Sequence, residues 1–379
     1  MGLLLPLALC ALATSYSAAF PAQQTTKNLF PYLSRGCNDS DVLSFAGFAL
    51  EDINKDRKDG YILSLNRVSD VREQRQVKDD EPGGSLFYLT LDVLETNCHV
   101  LSRKSWKDCE ARALYETVYG QCKALFYINR PRRVLYTMAY NCTLRPVSRR
   151  SMQMMCPDCP SPRHIDDSDE KVVEAVTKSL EKYNKESTSK QYSLVEVTRT
   201  SRMSMVGLTF VVEYLIKESP QPCTKSMDST CALHSPDPVP VGLCHGSLKE
   251  YWKTIVNVNC DIFEPQDAAA EGEKAAKLPK VQDPEQKDAG KRGPRGTVQK
   301  LPDLDDERPE QSQDASAVEE FPVHLDLTTD PEGQALDVSF LFTGPLEEKL
   351  LVLPFPSRDQ RSFECPGPAR NANDLVLPP

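Results

Sequence analysis

The chain is poor in histidine, with 5 in 379 residues, and in tryptophan, with 2. So few imidazoles leave little material for a histidine-rich metal site. Positive charge is also in deficit, since 45 Lys and Arg face 55 Asp and Glu for a net charge of −10. A nucleic-acid binder needs clustered cations against phosphate, so the balance argues against that class. No G-x-S-x-G, H-E-x-x-H or Walker pattern occurs, and His99, His164, His234, His245 and His324 are scattered. Neither enzyme chemistry nor a cofactor is expected. Beyond the first twenty residues no apolar run reaches the roughly eighteen residues that a membrane span needs. From Glu264 to Glu320 there is no aromatic residue and no cysteine. Such a stretch cannot bury enough apolar surface to offset its ordering entropy, so it is expected to be a disordered acidic tail.

What the chain does have is cysteine, 13 in all. Residues 1–18 read as a secretory signal, with an apolar run through Leu3, Leu7 and Leu12 and small residues at Ser17, Ala18 and Ala19. Its removal takes Cys10 and leaves an even set, which in an oxidising compartment favours full pairing although sequence order does not fix the connectivity. Asn38-Asp-Ser40 and Asn141-Cys-Thr143 are N-glycosylation acceptors, making Asn38 and Asn141 candidate sites. A soluble glycoprotein of an extracellular, plasma-type fluid is expected.

The chain repeats once. Cys98, Cys109, Cys122 and Cys142 correspond to Cys223, Cys231, Cys244 and Cys260 at offsets of 125, 122, 122 and 118 residues. A slowly drifting offset is that of duplicated modules with loop-length changes. In the first copy Asp39, Ser40 and Asp41 offer helix caps, Val42, Ala46, Ala49 and Ile53 line one helical face, and Gly60 ends it. In the second, Asp167 and Ser168 are the candidate caps for a face of Val173, Ala175, Val176, Leu180 and Tyr183. Alternating stretches follow each helix: 61–68, 85–95, 123–128 and 134–140 in copy one, and 192–198, 208–216 and 254–258 in copy two. Phe87, Leu89, Leu91 and Val93 share one side; Leu86, Tyr88 and Thr90 share the other. The expected class is α+β, two tandem modules with one helix across an antiparallel sheet whose other face stays wet. The boundaries are 28–150 and 166–263, with a linker at 151–165 and a Pro-rich acidic region at 264–379, which allows at most one weak hairpin between Phe321 and Phe355. Short-range bridges Cys98–Cys109, Cys122–Cys142, Cys223–Cys231 and Cys244–Cys260 would staple neighbouring strands, each contributing on the order of 3 kcal/mol in the chain-entropy model. This leaves Cys37, Cys156, Cys159 and Cys365, of which Cys365 is expected to pair with Cys37 and tie the termini together.

Between the copies lies Cys156-Pro157-Asp158-Cys159-Pro160. A redox C-x-x-C would sit in a βαβ context, and none surrounds it. Half of a zinc site would need a second close pair, and none has the spacing. A Cys156–Cys159 bridge closing a tight turn remains. The prolines fix φ at Pro157 and Pro160 and push Cys156 and Cys159 toward extended geometry. Asp158 then projects as a rigid carboxylate. A catalytic zinc keeps three protein ligands and one water, and a preorganised carboxylate could take the water's place. The bland alternative is a stiff spacer. Arg130, Arg132 and Arg133 with Arg145, Arg149 and Arg150 suggest a positive patch near the linker, or simply solvated strand ends.

The helix, the hairpins, the two cysteine pairs per copy and the duplication resemble the cystatin superfamily. The tandem copies, the terminal bridge, the Cys156–Pro160 pentapeptide, Leu301-Pro-Asp-Leu-Asp-Asp306 and the ending Leu375-Val-Leu-Pro-Pro379 resemble the fetuin family within it. That resemblance implies a monomeric inhibitor of astacin-family zinc metalloproteases of the ovastacin type, which would prevent premature hardening of the egg coat and so support fertilisation. It implies that Asp158 ligates the target's zinc, framed by Cys156, Pro157, Cys159 and Pro160. Met203, Ser204, Met205, Val206, Gly207, Tyr251 and Trp252, on two hairpins of the second copy, would flank the cleft. The cysteine-protease motif of cystatins, Q-x-V-x-G, keeps only its glycine in Met203–Gly207, residues 76–85 do not preserve it, and Tyr251 stands where a proline precedes the tryptophan. The competing family role, a mineral- or ligand-carrying plasma glycoprotein like fetuin-A, would need an acidic sheet face in copy one, where the 85–95 strand offers only Asp92 and Glu95.

Overall fold

The structure, a computed structural model, describes residues 32–78, 81–187, 190–205, 207–219, 240–263, 295–304, 323–342, 348–357 and 362–377. The signal segment, Cys223 and Cys231 lie outside the described residues.

Helix α1 (Ser40–Asp56) follows β1 (Leu33–Ser34) and buries Val42, Phe45, Ala46, Ala49, Leu50 and Ile53 along one stripe. Its N-cap is Asp39, whose carboxylate accepts from the Gly36 amide at 3.3 Å rather than from the helix. Near its end Asn54, buried, clamps Leu63 by two 2.8 Å bonds to that residue's N–H and C=O. The helix is thus hooked to β2 (Tyr61–Lys78), which pairs antiparallel with β3 (Glu81–His99). β4 (Val118–Asn129) and β5 (Val134–Pro146) complete the antiparallel run. Cys122 and Cys142 stand directly opposite each other in that last pair and are bonded.

A short helix, α2 (Arg149–Met155), opens the linker. The second module begins with α3 (Glu170–Glu186), followed by β6 (Tyr192–Met205), β7 (Gly207–Glu218), β8 (Gly242–Glu250) and β9 (Ile255–Ile262), a four-stranded antiparallel sheet in sequence order. Cys244 faces Cys260 across β8 and β9 and is bonded to it, as in the first module. Two expectations move here. The cap of α3 is Asp169, which accepts from Lys171 N–H, not Asp167 or Ser168. The fully buried face is Val172, Ala175, Val176 and Ser179, at steps of 3, 1 and 3, with the expected Leu180 and Tyr183 half-buried against the same core, and of the expected face only Val173 turns to solvent. β8 was not legible as a strand because Gly242 and Gly246 interrupt it. Gly246 is where the helix lies closest: a Cβ there would come within 2.5 Å of Ser179 Oγ.

The largest departure concerns the far face of the first sheet, expected to be wet. Leu86, Tyr88, Leu125, Tyr127 and Met138 are buried there under Val338, Leu350 and Val352. The covering residues belong partly to a hairpin, β11 (Gln334–Asp337) with β12 (Lys349–Val352). The C-terminal region is therefore a second layer on the first module. Part of the segment expected to be disordered is also ordered: β10 (Arg295–Lys300) adds in parallel to the β5 edge, and Leu301 N–H continues the ladder to Leu144 O at 2.8 Å. Main-chain pairing with an open sheet edge needs little apolar side chain, so composition did not betray it. Cys37 bonds Cys365 across 328 residues, and Cys98 bonds Cys109.

The two modules meet at a small core of Tyr61, Leu215 and Leu243. Beside it Arg112 makes a fork to Glu213, 2.7 and 2.9 Å, and the Tyr61 hydroxyl donates to the same carboxylate. Burial opposes ionisation of Glu213, but the hydrogen bonds from His245 and Arg112, and their charges, outweigh it and hold its carboxyl well below the usual range. Arg199 crosses to Glu95 at 3.0 Å.

Candidate functional site

Ser148 caps α2 by accepting from Ser151 N–H at 3.1 Å, and Met152 is the helix's one buried side chain. The helix runs straight into the proline-braced turn. Cys156 N–H bonds Met152 O at 2.8 Å, and Cys159 N–H returns to Cys156 O at 3.1 Å. The two cysteines are bonded, with Cα atoms 5.3 Å apart. Their sulfurs face inward, half-buried against an apolar cluster that includes Leu94, Tyr119, Val147 and Met152. Pro157 and Asp158 face outward and are exposed. The Asp158 carboxylate has no hydrogen bond or ion pair among the described residues, so its full charge and lone pairs are available to a partner. A carboxylate on such a turn loses little conformational freedom when it docks.

The chain after the turn is pinned to the second module. Arg163 and Arg202 exchange backbone hydrogen bonds of 2.9 and 2.8 Å, and Thr200 Oγ1 donates to Ile165 O at 2.5 Å. Arg202 immediately precedes Met203, so the linker's end lies alongside the strand that leads to the first hairpin tip. Met203 is half-buried and Ser204 exposed; Val206 lies outside the described residues. Gly207 begins the return strand with φ +89°, and a Cβ there would approach Glu250 O to 2.7 Å. That contact sets the two hairpins side by side, with Leu208 paired to Glu250. Lys171 on α3 holds Glu250 at 2.5 Å. Beyond it Tyr251 and Trp252, 60% and 86% exposed, lie with ring centroids 5.0 Å apart. Exposed Tyr and Trp are the side chains that most often anchor protein interfaces. The structure thus joins Met203, Ser204, Gly207, Tyr251 and Trp252 into one rim on the second module, with the linker turn seated on the first.

Sequence reasoning missed α2 and with it Met154 and Met155, 70% and 52% exposed on its last turn. Ser148 ahead of that run was the available signal. The proposed basic patch is not one surface: residues 130–133 turn between β4 and β5, whereas 145–150 lie at the other end of β5. Arg130 pairs with Asp41 at 2.5 Å, Arg132 reaches Glu348 at 3.7 Å, and Arg145 is buried. Nor is there an acidic sheet face at the positions considered for mineral. Asp92 is buried against Arg67 at 2.5 Å and Gln121 at 2.9 Å, and Glu95 is buried against Arg199. Among the described residues no three carboxylate, histidine or cysteine side chains form a metal-holding group. Asn38 is exposed just before α1. The Asn141 amide nitrogen donates to His324 O at 2.5 Å, and a glycan at that nitrogen would leave one hydrogen for the bond.

The cystatin domain family matches residues 33–130 and 160–249. Human fetuin-B is 59% identical over the whole of both chains. Mouse fetuin-B in complex with crayfish astacin is similar over 93% of this chain and 99% of that one, with 52% identity and a TM-score of 0.73. Mouse fetuin-B in an inhibitory complex with human meprin beta is similar over 90% of this chain and 99% of that one, with 51% identity and a TM-score of 0.71.

Proposed function

The chain belongs to the fetuin-B family of tandem cystatin-domain proteins, and from that premise we propose that it is a secreted inhibitor of astacin-family zinc metalloproteases, egg proteases of the ovastacin type included. One observation carries the proposal: an unpaired, exposed Asp158 carboxylate on a disulfide-closed turn, in a chain whose half-identical relative forms an inhibitory complex with such a protease. Asp158 replaces the water on the target's zinc and contributes charge where a water-excluded cleft makes charge most effective. The bridge and the prolines keep the turn in the docking geometry, and the two strands of a cut loop would remain joined. Met203, Ser204, Met205, Val206, Gly207, Tyr251 and Trp252 line the cleft as supporting contacts.

Titration of an astacin-type protease with wild-type and Asp158→Ala protein tests the proposal. Removing one partner of a desolvated charge contact costs about 3 kcal/mol, so the inhibition constant should rise at least about hundredfold. The far-ultraviolet circular dichroism should not change. Wild-type potency in the variant would refute the role of Asp158.

A further inference from the structure

The two ends of α2 are held by residues far away in sequence. At its start Arg149 reaches Asp303 at 3.0 Å, and Asp303 is 7% exposed. At its far end Met152, Cys156 and Cys159 share one apolar cluster with Val323 and Val376, and Val376 is 1% exposed. Asn373 Nδ2 adds a weak contact to Met155 Sδ at 3.9 Å. Seven residues are too few for a helix to hold its shape alone. The bridge and the prolines stiffen the turn itself, so where that turn is held depends on what packs beneath the helix.

The terminal segment that supplies Val376 is itself fixed. From the Cys37–Cys365 bridge it runs along β2: Gly367 N–H bonds Val68 O and Arg370 N–H bonds Asn66 O, both at 2.9 Å. Asn66 and Asn371 exchange further bonds of 2.8 and 3.1 Å, and the Arg370 guanidinium lies 4.7 Å over the Trp106 ring. Asn373 then closes a turn, accepting from Leu375 N–H at 2.9 Å through its side chain and from Val376 N–H at 3.0 Å through its carbonyl. A continuous string of contacts connects the terminal disulfide to the base of the linker.

We propose that Asp303 and Val376 are positioning residues for Asp158: the C-terminal region clamps both ends of α2 and so presents the stapled turn to a protease. They act without touching the protease, by reducing the freedom that Asp158 must give up on docking. This can operate only if Asp158 is the zinc-directed group, the reading given above.

A double-mutant cycle in the full-length protein separates the two. Val376→Asp places a carboxylate in the apolar cluster and should release the segment, raising the inhibition constant for an astacin-type protease about tenfold, within the range that ordering a few side chains accounts for. Val376→Ile should restore wild-type potency. Asp303→Asn, which removes the charge without changing the shape, should give a smaller loss in the same direction. In an Asp158→Ala background the Val376→Asp loss should vanish, because a clamp acting through Asp158 has nothing left to position. A Val376→Asp loss of the same size in both backgrounds would overturn the clamp and leave only a structural role, as would unchanged inhibition by Val376→Asp and Asp303→Asn. If Asp158→Ala alone left potency intact, the zinc-directed reading and the clamp would fall together, and that single variant reports it.

Discussion

His99 is a neutral imidazole built into the junction of the two modules. Its ring lies 5.7 Å from that of Tyr61 and 6.3 Å from that of Phe263. Leu101 N–H donates to Nδ1 at 3.2 Å, so the ring proton sits on Nε2, which is buried without a hydrogen-bond partner among the described residues. Burial is the main cause that pushes its pKa down to about 4; nearby Asp59 opposes the shift, and Arg57 and Lys300 add to it. The folded value lies below the unfolded one, so between about pH 6.5 and 4 the unfolded chain binds the extra proton. Stability from this group is full above that window and is lost as pH falls through it. Chemical denaturation at pH 7 and 4.5 should show an acid loss smaller by about 2 kcal/mol in His99→Phe than in wild type. Equal losses would mean that His99 is not kept neutral.

At the scale of elements, the linker turn separates stability from function. Cys156 and Cys159 close a loop of only three residues' separation and cross-link neither sheet. Replacing both by serine should leave the cooperative unfolding of the modules unchanged. It should weaken inhibition by about ten- to a hundredfold, since the turn would then have to be ordered on binding, and should leave the turn open to cleavage by the target, visible in mass spectrometry as two chains once the Cys37–Cys365 bridge that still joins them is reduced. Retained potency with an uncut turn would show that the prolines alone suffice. The turn and its cysteine pair were readable in the sequence because two prolines and two cysteines in five residues constrain a chain strongly. The stripe of α1 was readable as well, through Val42, Ala46, Ala49 and Ile53 at helical spacing. α2 was not, because seven residues with three methionines carry too short a period to stand out. β8 was not, because the closeness of α3 demands glycine where a strand would otherwise carry a β-branched residue.

For the whole molecule, the decisive contacts are between distant parts of the sequence, which periodicity cannot report. Leu86 and Tyr88 read as one face of a strand, but what covers them, Leu350 and Val352, lies more than 250 residues away. The Arg112–Glu213 fork likewise joins two modules that look independent in sequence, its desolvation offset by the two fork bonds and the Tyr61 hydroxyl, while Arg112 Nε stays buried without a hydrogen-bond partner among the described residues. The covered face, the terminal bridge and the junction together make one scaffold on which the linker turn and the two hairpin tips are carried. What that scaffold presents, on the function proposed above, is the Asp158 carboxylate for a foreign zinc. The direct test is to replace the zinc of an astacin-type protease with cobalt(II) and record its visible absorption while adding wild-type or Asp158→Ala protein. The account predicts a stoichiometric spectral change with wild type, as a carboxylate replaces the bound water, and none with Asp158→Ala. Full inhibition by wild type with the water-bound spectrum unchanged would contradict it.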